Sequence, residues 1–196
     1  MDLSGLNEMQ ELAVTTTEGA VMVMAGAGSG KTKVLTHRIA YLIESLGINP
    51  YNILAVTFTN KAANEMKERV EKLLERNVNG LWISTFHSFC ARFLRREISV
   101  LNKYRQNFVI VDEDDSLKIV KEVTKDKDFH MTPKDAIRYI SMAKNDEPLP
   151  NFSSFDRKEF ETIYGLYQDY LVKENLLDFD DLISLTVFIL ENYLPV

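Results

Sequence analysis

The turn Ala25-Gly26-Ala27-Gly28-Ser29-Gly30-Lys31-Thr32 holds the residue types best suited to chemistry in this 196-residue chain. Small residues let successive backbone N–H groups curl around a phosphate, and a helix starting beyond Gly30 adds the positive end of its dipole. Lys31 can reach the β- and γ-phosphates of a nucleotide, and the Thr32 hydroxyl can ligate Mg²⁺. The strict pattern is Gly-x-x-x-x-Gly-Lys-Ser/Thr, and Ala25 stands at its first position here. The competing reading is a glycine-rich turn between strand and helix that binds nothing.

Three further stretches carry chemistry-bearing residues. In "LNEMQ" (6–10), the Gln10 amide can make two hydrogen bonds to the N6/N7 edge of adenine, and Asn7 can equally cap a helix. "TFTNKAANEM" (57–66) and "STFHSF" (84–89) each end a strand and open a helix, with an aromatic ring, hydroxyls and helix-start amides together. That mixture suits single-stranded nucleic acid, with bases stacking on rings and phosphates on amides. The alternative is that Phe58 and Phe86 are core and the polar residues are caps. His87 alone reads more readily as a satisfied buried side chain than as a ligand. Cys90 lies in the apolar stretch "FHSFCARFL" and reads as core, not as a nucleophile. "DFDD" (178–181) offers carboxylates, but Asp beside a helix start is an N-cap and dipole partner. His37 and His130 match no motif and read as surface residues, and Tyr164, Tyr167 and Tyr170 as a helix packing stripe.

The elements that must position these residues alternate. Val21–Met24 is expected to be a short buried strand leading into the turn. A helix follows over Gly30–Leu46, with Val34, Leu35, Ile39, Leu42, Ile43 and Leu46 on one face; Gly47 ends it and Pro50 prevents an immediate restart. "NILAVTF" (52–58) and "LWISTF" (81–86) are further strands. Between them runs a helix striped by Ala62, Ala63, Met66, Val70, Leu73 and Leu74, and another helix continues to about Leu101. Such alternation predicts an α/β fold with a parallel sheet. After "NFVIVD" (107–112) the pattern becomes helical. Thr132-Pro133 reads as an N-cap with proline at the first helical position. "NDEPLPN" (145–151) is a loop, and a long helix bearing Phe160, Ile163, Tyr164, Tyr167 and Leu171 follows it.

Composition is that of an ordinary globular protein, with 45% apolar and 27% charged residues. There is no run of 18 apolar residues, no signal-peptide layout at the N-terminus, and a single cysteine; together these suit a reducing, cytoplasmic setting. The net charge of −6 is unevenly placed. Residues 1–110 hold 13 Lys+Arg against 10 Asp+Glu, whereas residues 111–196 hold 10 against 19. A surface for a polyanion is therefore expected in the first half.

In this order, "LNEMQ", "AGAGSGKT", "AVTFTNKAANEM", "WISTFHSF" and "LDFDDL" closely resemble superfamily 1 DNA helicases of the UvrD/PcrA/Rep type. The resemblance implies a RecA-like P-loop NTPase sheet, subdomain 1A, with an inserted all-helical subdomain 1B. On that reading residues 1–107 are the first part of 1A, residues 108–177 are 1B, and residues 178–196 return to 1A. It also implies an ATP- and Mg²⁺-dependent motor that walks 3′ to 5′ on single-stranded DNA and separates the duplex, in repair or replication. Gln10 would recognise adenine, residues 25–32 would bind the triphosphate, and Thr57, Phe58, Asn60, Thr85 and His87 would lie along the single strand. The residue after Gly-Lys-Thr is usually Arg in that family. Here it is Lys33, which lacks a planar surface to lay on the base.

Hydrolysis needs a strand ending in Asp-Glu to hold Mg²⁺ and position water. "FVIVDEDD" (108–115) has that look, but the resemblance places it at the entrance to 1B, where the acids cap a helix. The family's own acidic strand, arginine finger and second RecA-like domain would then lie beyond Val196. The chain is accordingly expected to be the N-terminal part of a longer helicase and not a competent ATPase alone. Two other classes stay open: a complete P-loop phosphotransferase using Asp112, and a non-catalytic binding module switched by nucleotide.

Overall fold

A computed structural model describes residues 1–193. The chain divides into two compact units, Met1–Phe89 and Cys90–Val196.

The first unit contains α1 (Glu8–Thr15), α2 (Lys31–Glu44), β1 (Leu54–Thr57), α3 (Asn60–Leu74), β2 (Trp82–Thr85) and the start of α4 (Phe86–Glu97). β1 and β2 pair in parallel, with Leu54 opposite Trp82 and Thr57 opposite Thr85. Parallel neighbours need a crossover, and α3 supplies it. Its apolar residues recur at helical spacing, so Ala63, Met66, Val70 and Leu74 are buried while the lysines and glutamates between them face water. Met66, Val70 and Leu74 meet Ile39, Ala40 and Ile43 of α2, with Ile53 and Leu81 from the strand ends, in one core. Leu35 and Leu46, expected on the buried face of α2, are instead exposed, and Ala40 takes part in their place. The α1 helix is tied to α2 by Arg38, whose guanidinium donates to the carbonyls of Ala13 and Thr16 at the last turn of α1.

One strand expected from the sequence is missing. Val21–Met24 is irregular, and its four apolar side chains are exposed, Met22 and Met24 at 84% and 87%. A strand is stable only when a neighbour takes up its N–H and C=O groups. Among the described residues nothing pairs with this segment, since the sheet here consists of β1 and β2 alone.

The second unit is mostly helical. Beyond the rest of α4 it contains β3 (Val109–Ile110), α5 (Glu113–Thr124), α6 (Pro133–Lys144), α7 (Ser154–Glu174), β4 (Leu176–Leu177) and α8 (Phe179–Asn192). β3 and β4 form a two-residue parallel ladder, Val109 opposite Leu176 and Ile110 opposite Leu177. This ladder holds together the two ends of the α5–α7 segment. Thr132 caps α6 through its hydroxyl, with Pro133 at the first helical position. Ile119, Val120, Ala136, Ile140, Phe160, Ile163, Tyr167 and Leu171 form the core between α5, α6 and α7. Among the described residues no helix is long and apolar enough to cross a membrane.

Candidate nucleotide and nucleic-acid site

The glycine-rich turn owes its shape to two residues in the left-handed region, Gly28 at φ +75° and Gly30 at φ +84°. At Gly30 a Cβ would also come within 2.9 Å of the Gln10 amide nitrogen, so a side chain there would be strained by the backbone and would push Gln10 aside. The turn is braced internally by the Ser29 hydroxyl, which donates to the Gly26 carbonyl at 2.7 Å. Lys31 reaches back over it, its ammonium donating to the carbonyls of Ala25 at 3.1 Å and Gly26 at 2.7 Å. Thr32 is exposed on the first turn of α2.

What distinguishes α2 is its bare N-terminus. Asn7, Thr59, Asp112, Thr132, Ser153 and Asp178 each cap their helices with a side-chain oxygen. Gly30 brings no such oxygen to α2, and no acidic residue lies in its first turn. Its leading N–H groups and dipole are therefore uncompensated, beside a lysine held only by backbone carbonyls. This is a donor set that fits the oxygens of a polyphosphate.

Gln10 sits against the turn. Its amide nitrogen donates to the Ser29 carbonyl at 3.0 Å, and its amide oxygen accepts from the Asn7 N–H at 3.1 Å. The capping reading of "LNEMQ" is thus realised as a capping box, and the same side chain also touches the glycine-rich turn. The Lys33 ammonium donates to the Gly5 carbonyl, across 28 residues of sequence. Gln10, Lys31, Leu35, Arg38 and the Val21–Met24 segment line a cavity of about 860 Å³.

The second feature of this unit lies where the strands end. Because Thr57 and Thr85 are in register, the next residue of each strand, Phe58 and Phe86, emerges beside the other. Their ring centroids are 5.9 Å apart, tilted by 48°. Phe58 is 90% exposed and Phe86 44%, so neither ring is core. Thr59 caps α3 by accepting from the Ala62 N–H, leaving Asn60 and Lys61 exposed on its first turn. Thr85 is buried; its hydroxyl donates to the Ser88 hydroxyl at 2.8 Å and accepts from the Ser88 N–H at 3.1 Å, bracing the turn that carries Phe86 and His87. Thr57 is half-buried at the end of β1, and His87 is exposed on the first turn of α4.

In the second unit, Asp112 and Asp178 serve as helix caps, accepting from the N–H groups of Asp115 and Asp181 at 2.8 Å each. Sequence reasoning missed what else Asp178 does. The Lys144 ammonium lies 2.7 Å from the carboxylates of both Asp178 and Asp181, and all three side chains are nearly inaccessible. The Tyr167 hydroxyl donates to Asp178 at 2.9 Å. Burial pushes the Asp181 carboxyl up to about 6; Lys144 pulls it down, and the charge of Asp178 adds to the rise. Burial works against the Lys144 ammonium, but the two carboxylates outweigh it and its pKa is raised. Lys144 and Asp178 are 34 residues apart, a pairing that no local pattern in the sequence announces.

Residues 6–195 match the family model described as UvrD/REP helicase N-terminal domain. The chain is 48% identical over 193 residues to the ATP-dependent DNA helicase PcrA of Bacillus subtilis, covering 94% of this chain and 26% of that protein. Against the PcrA helicases of Staphylococcus aureus and Staphylococcus epidermidis it is 45% identical over 197 residues, covering 96% of this chain and 27% of each. It thus spans about a quarter of the length of the curated relatives it matches. With nearly its whole length matched by the family model, the chain belongs to the UvrD/REP helicase N-terminal domain family.

Proposed function

We propose that this chain is the N-terminal, nucleotide- and single-strand-binding portion of an ATP-dependent 3′–5′ DNA helicase. On this reading residues 1–107 are the first part of a RecA-like subdomain 1A, residues 108–177 the inserted helical subdomain 1B, and residues 178–196 the return to 1A. The observation that carries it is the pair of solvent-facing rings, Phe58 and Phe86, set side by side by the β1–β2 register. A small-molecule kinase has no use for such a platform, whereas successive bases of a single strand stack on one.

The bare start of α2, the backbone N–H groups of residues 25–30 and the Lys31 ammonium would receive the triphosphate. The Thr32 hydroxyl would hold Mg²⁺, which with the nucleotide supplies the phosphoryl chemistry. Gln10 would meet adenine by giving up its bond to Ser29, and Lys33 would contribute charge without a stacking plane. Thr57, Phe58, Asn60 and His87 would line the strand, with Thr85 supporting the turn beneath them. Asp112 is used as the cap of α5, which favours an acidic strand elsewhere in the longer protein over a self-contained phosphotransferase.

The test is single-strand affinity of the full-length protein. Phe58→Ala should weaken it by roughly 1–3 kcal/mol, the worth of one base–aromatic stack. Lys31→Ala should abolish the rise in melting temperature given by ATP·Mg while leaving single-strand binding in place. Unchanged DNA affinity in Phe58→Ala would overturn the reading.

A further inference from the structure

The charge of this chain is more localised than its halves suggest. Residues 1–89 hold 8 Lys+Arg and 9 Asp+Glu, and residues 111–196 hold 10 and 19. The whole positive excess of the first 110 residues therefore falls between residues 90 and 110, where Arg92, Arg95, Arg96, Lys103 and Arg105 face one acid, Glu97.

The fold gathers this stretch instead of stringing it out. Arg92 and Arg96 are one turn apart on the same face of α4. The Arg95 guanidinium lies 4.5 Å over the Phe108 ring and donates to the carbonyls of Gln106 and Phe108, while the Gln106 amide donates to the Arg96 carbonyl at 2.8 Å. Loop 102–107 is thereby fastened to the end of α4. It is fastened a second time by the Arg105 N–H, which donates to the Asn175 side chain at 2.8 Å, and by Tyr104, buried with its hydroxyl accepting from Gln168. Lys103 and Arg105, on either side of Tyr104, are exposed, and so is Arg96, which pairs at 3.9 Å with Glu97. Lys103 and Arg105 are held in place through the backbone and side-chain bonds that pin their loop, and Arg96 forms a surface ion pair with its sequence neighbour Glu97.

We infer that Arg96, Lys103 and Arg105, presented by the α4 terminus and loop 102–107, form a second DNA contact that takes the phosphate backbone of a duplex. The aromatic side chains here point to duplex and not to single strand. Tyr104 and Phe108 are buried and offer no base a stacking face, in contrast to Phe58 and Phe86. A contact made of cations without rings neutralises phosphates and reads no sequence. Its ordering entropy is already spent in the pinned loop, and the acidic surface of residues 111–196 confines a polyanion to this patch. The inference rests on the helicase reading for its partner, and the two fail separately in the experiment below.

The experiment compares the full-length protein with Arg96→Gln/Lys103→Gln/Arg105→Gln, leaving Arg95 as the pin of the loop. Binding of a blunt duplex and of a single-stranded oligonucleotide is measured over a range of salt. For the duplex, affinity at low salt should fall at least about tenfold, and the slope of log K against log salt should flatten by about 2–3, close to 0.9 per lost phosphate contact. Single-strand affinity should change by less than about threefold. Phe58→Ala should show the opposite selectivity, and if it does not the helicase reading fails while the duplex slope still judges the patch. An unchanged duplex slope, or equal losses on both DNAs, overturns the inference. So does poly-glutamate binding to the patch as tightly as duplex, which would make the partner an acidic protein. Lys103→Gln/Arg105→Gln alone, confined to the exposed loop, guards against misfolding and should flatten the slope by about two-thirds as much.

Discussion

Two polar clusters in this molecule are built in opposite ways. At the start of α2 and the ends of β1 and β2, donors and rings face solvent: an uncapped helix, a lysine resting on backbone carbonyls, and Phe58 at 90% exposure. Around Lys144, by contrast, two carboxylates, an ammonium and a phenol are enclosed and bonded to one another. The open cluster leaves helix-start N–H groups and exposed rings facing solvent. The closed cluster has spent its polar groups on each other, and its consequence is to lock α6, α7 and α8 together. Exposure of costly residue types makes the first the candidate for ligand binding. Complete mutual satisfaction marks the second as structural.

The largest effect should come from opening the closed cluster. Lys144→Met leaves Asp178 and Asp181 facing each other without a cation, and should destabilise the second unit by about 3–5 kcal/mol in chemical denaturation. Adding Asp178→Asn and Asp181→Asn to that variant should recover most of the loss, since the buried like charges are gone while both caps keep their oxygens. If Lys144→Met costs less than about 1 kcal/mol, water reaches the site and the contrast between the clusters collapses.

How far the sequence announced these two regions differs for physical reasons. The glycine-rich turn was legible because glycine spacing and a following Lys-Thr are local demands of backbone geometry. The caps at Thr132 and Asp178 were legible on the same ground. The adjacency of Phe58 and Phe86 was not, because it depends on a strand register that composition leaves open. The Lys144 cluster joins residues brought together only by packing of α6 against α8. Val21–Met24 reads as a strand because four apolar residues precede the turn, but strand formation depends on a neighbour that lies elsewhere in sequence. Leu35 was misplaced for a related reason: helical periodicity gives a face its width, and its neighbours decide how much of that width is covered.

A smaller effect concerns pH. The Asp181 carboxyl is raised by burial to about 6, from an ordinary value near 3.8. Between those values the folded state holds a proton that the unfolded chain has released. Its contribution to stability is therefore complete below about pH 4 and is lost as pH rises through about 6, opposite to a carboxylate stabilised by a cation alone. The span corresponds to about 2–3 kcal/mol. Asp181→Asn keeps an acceptor for Lys144 and for the Asp178 N–H, but cannot titrate. Stability measured from pH 4 to 7 should decline less in the variant than in the parent. Parallel curves would show that Lys144 holds the carboxylate charged throughout.

The smallest expected change tests the open cluster. Phe58→Ala removes a large apolar side chain, which in a core costs about 3–5 kcal/mol. With the ring 90% exposed and tilted against Phe86, little apolar area is uncovered, and stability should stay within about 0.5 kcal/mol of the parent. The β1–β2 ladder ends at Thr57 and Thr85, and Thr59 caps α3, so no backbone bond depends on the ring. A fluorescence or calorimetric melt of variant and parent decides the matter. Coincident melts, together with weakened single-strand binding, would show a side chain kept at the surface for a partner. A loss of 2 kcal/mol or more would instead make Phe58 part of the support for the sheet edge, and would leave Phe86 to carry the platform alone.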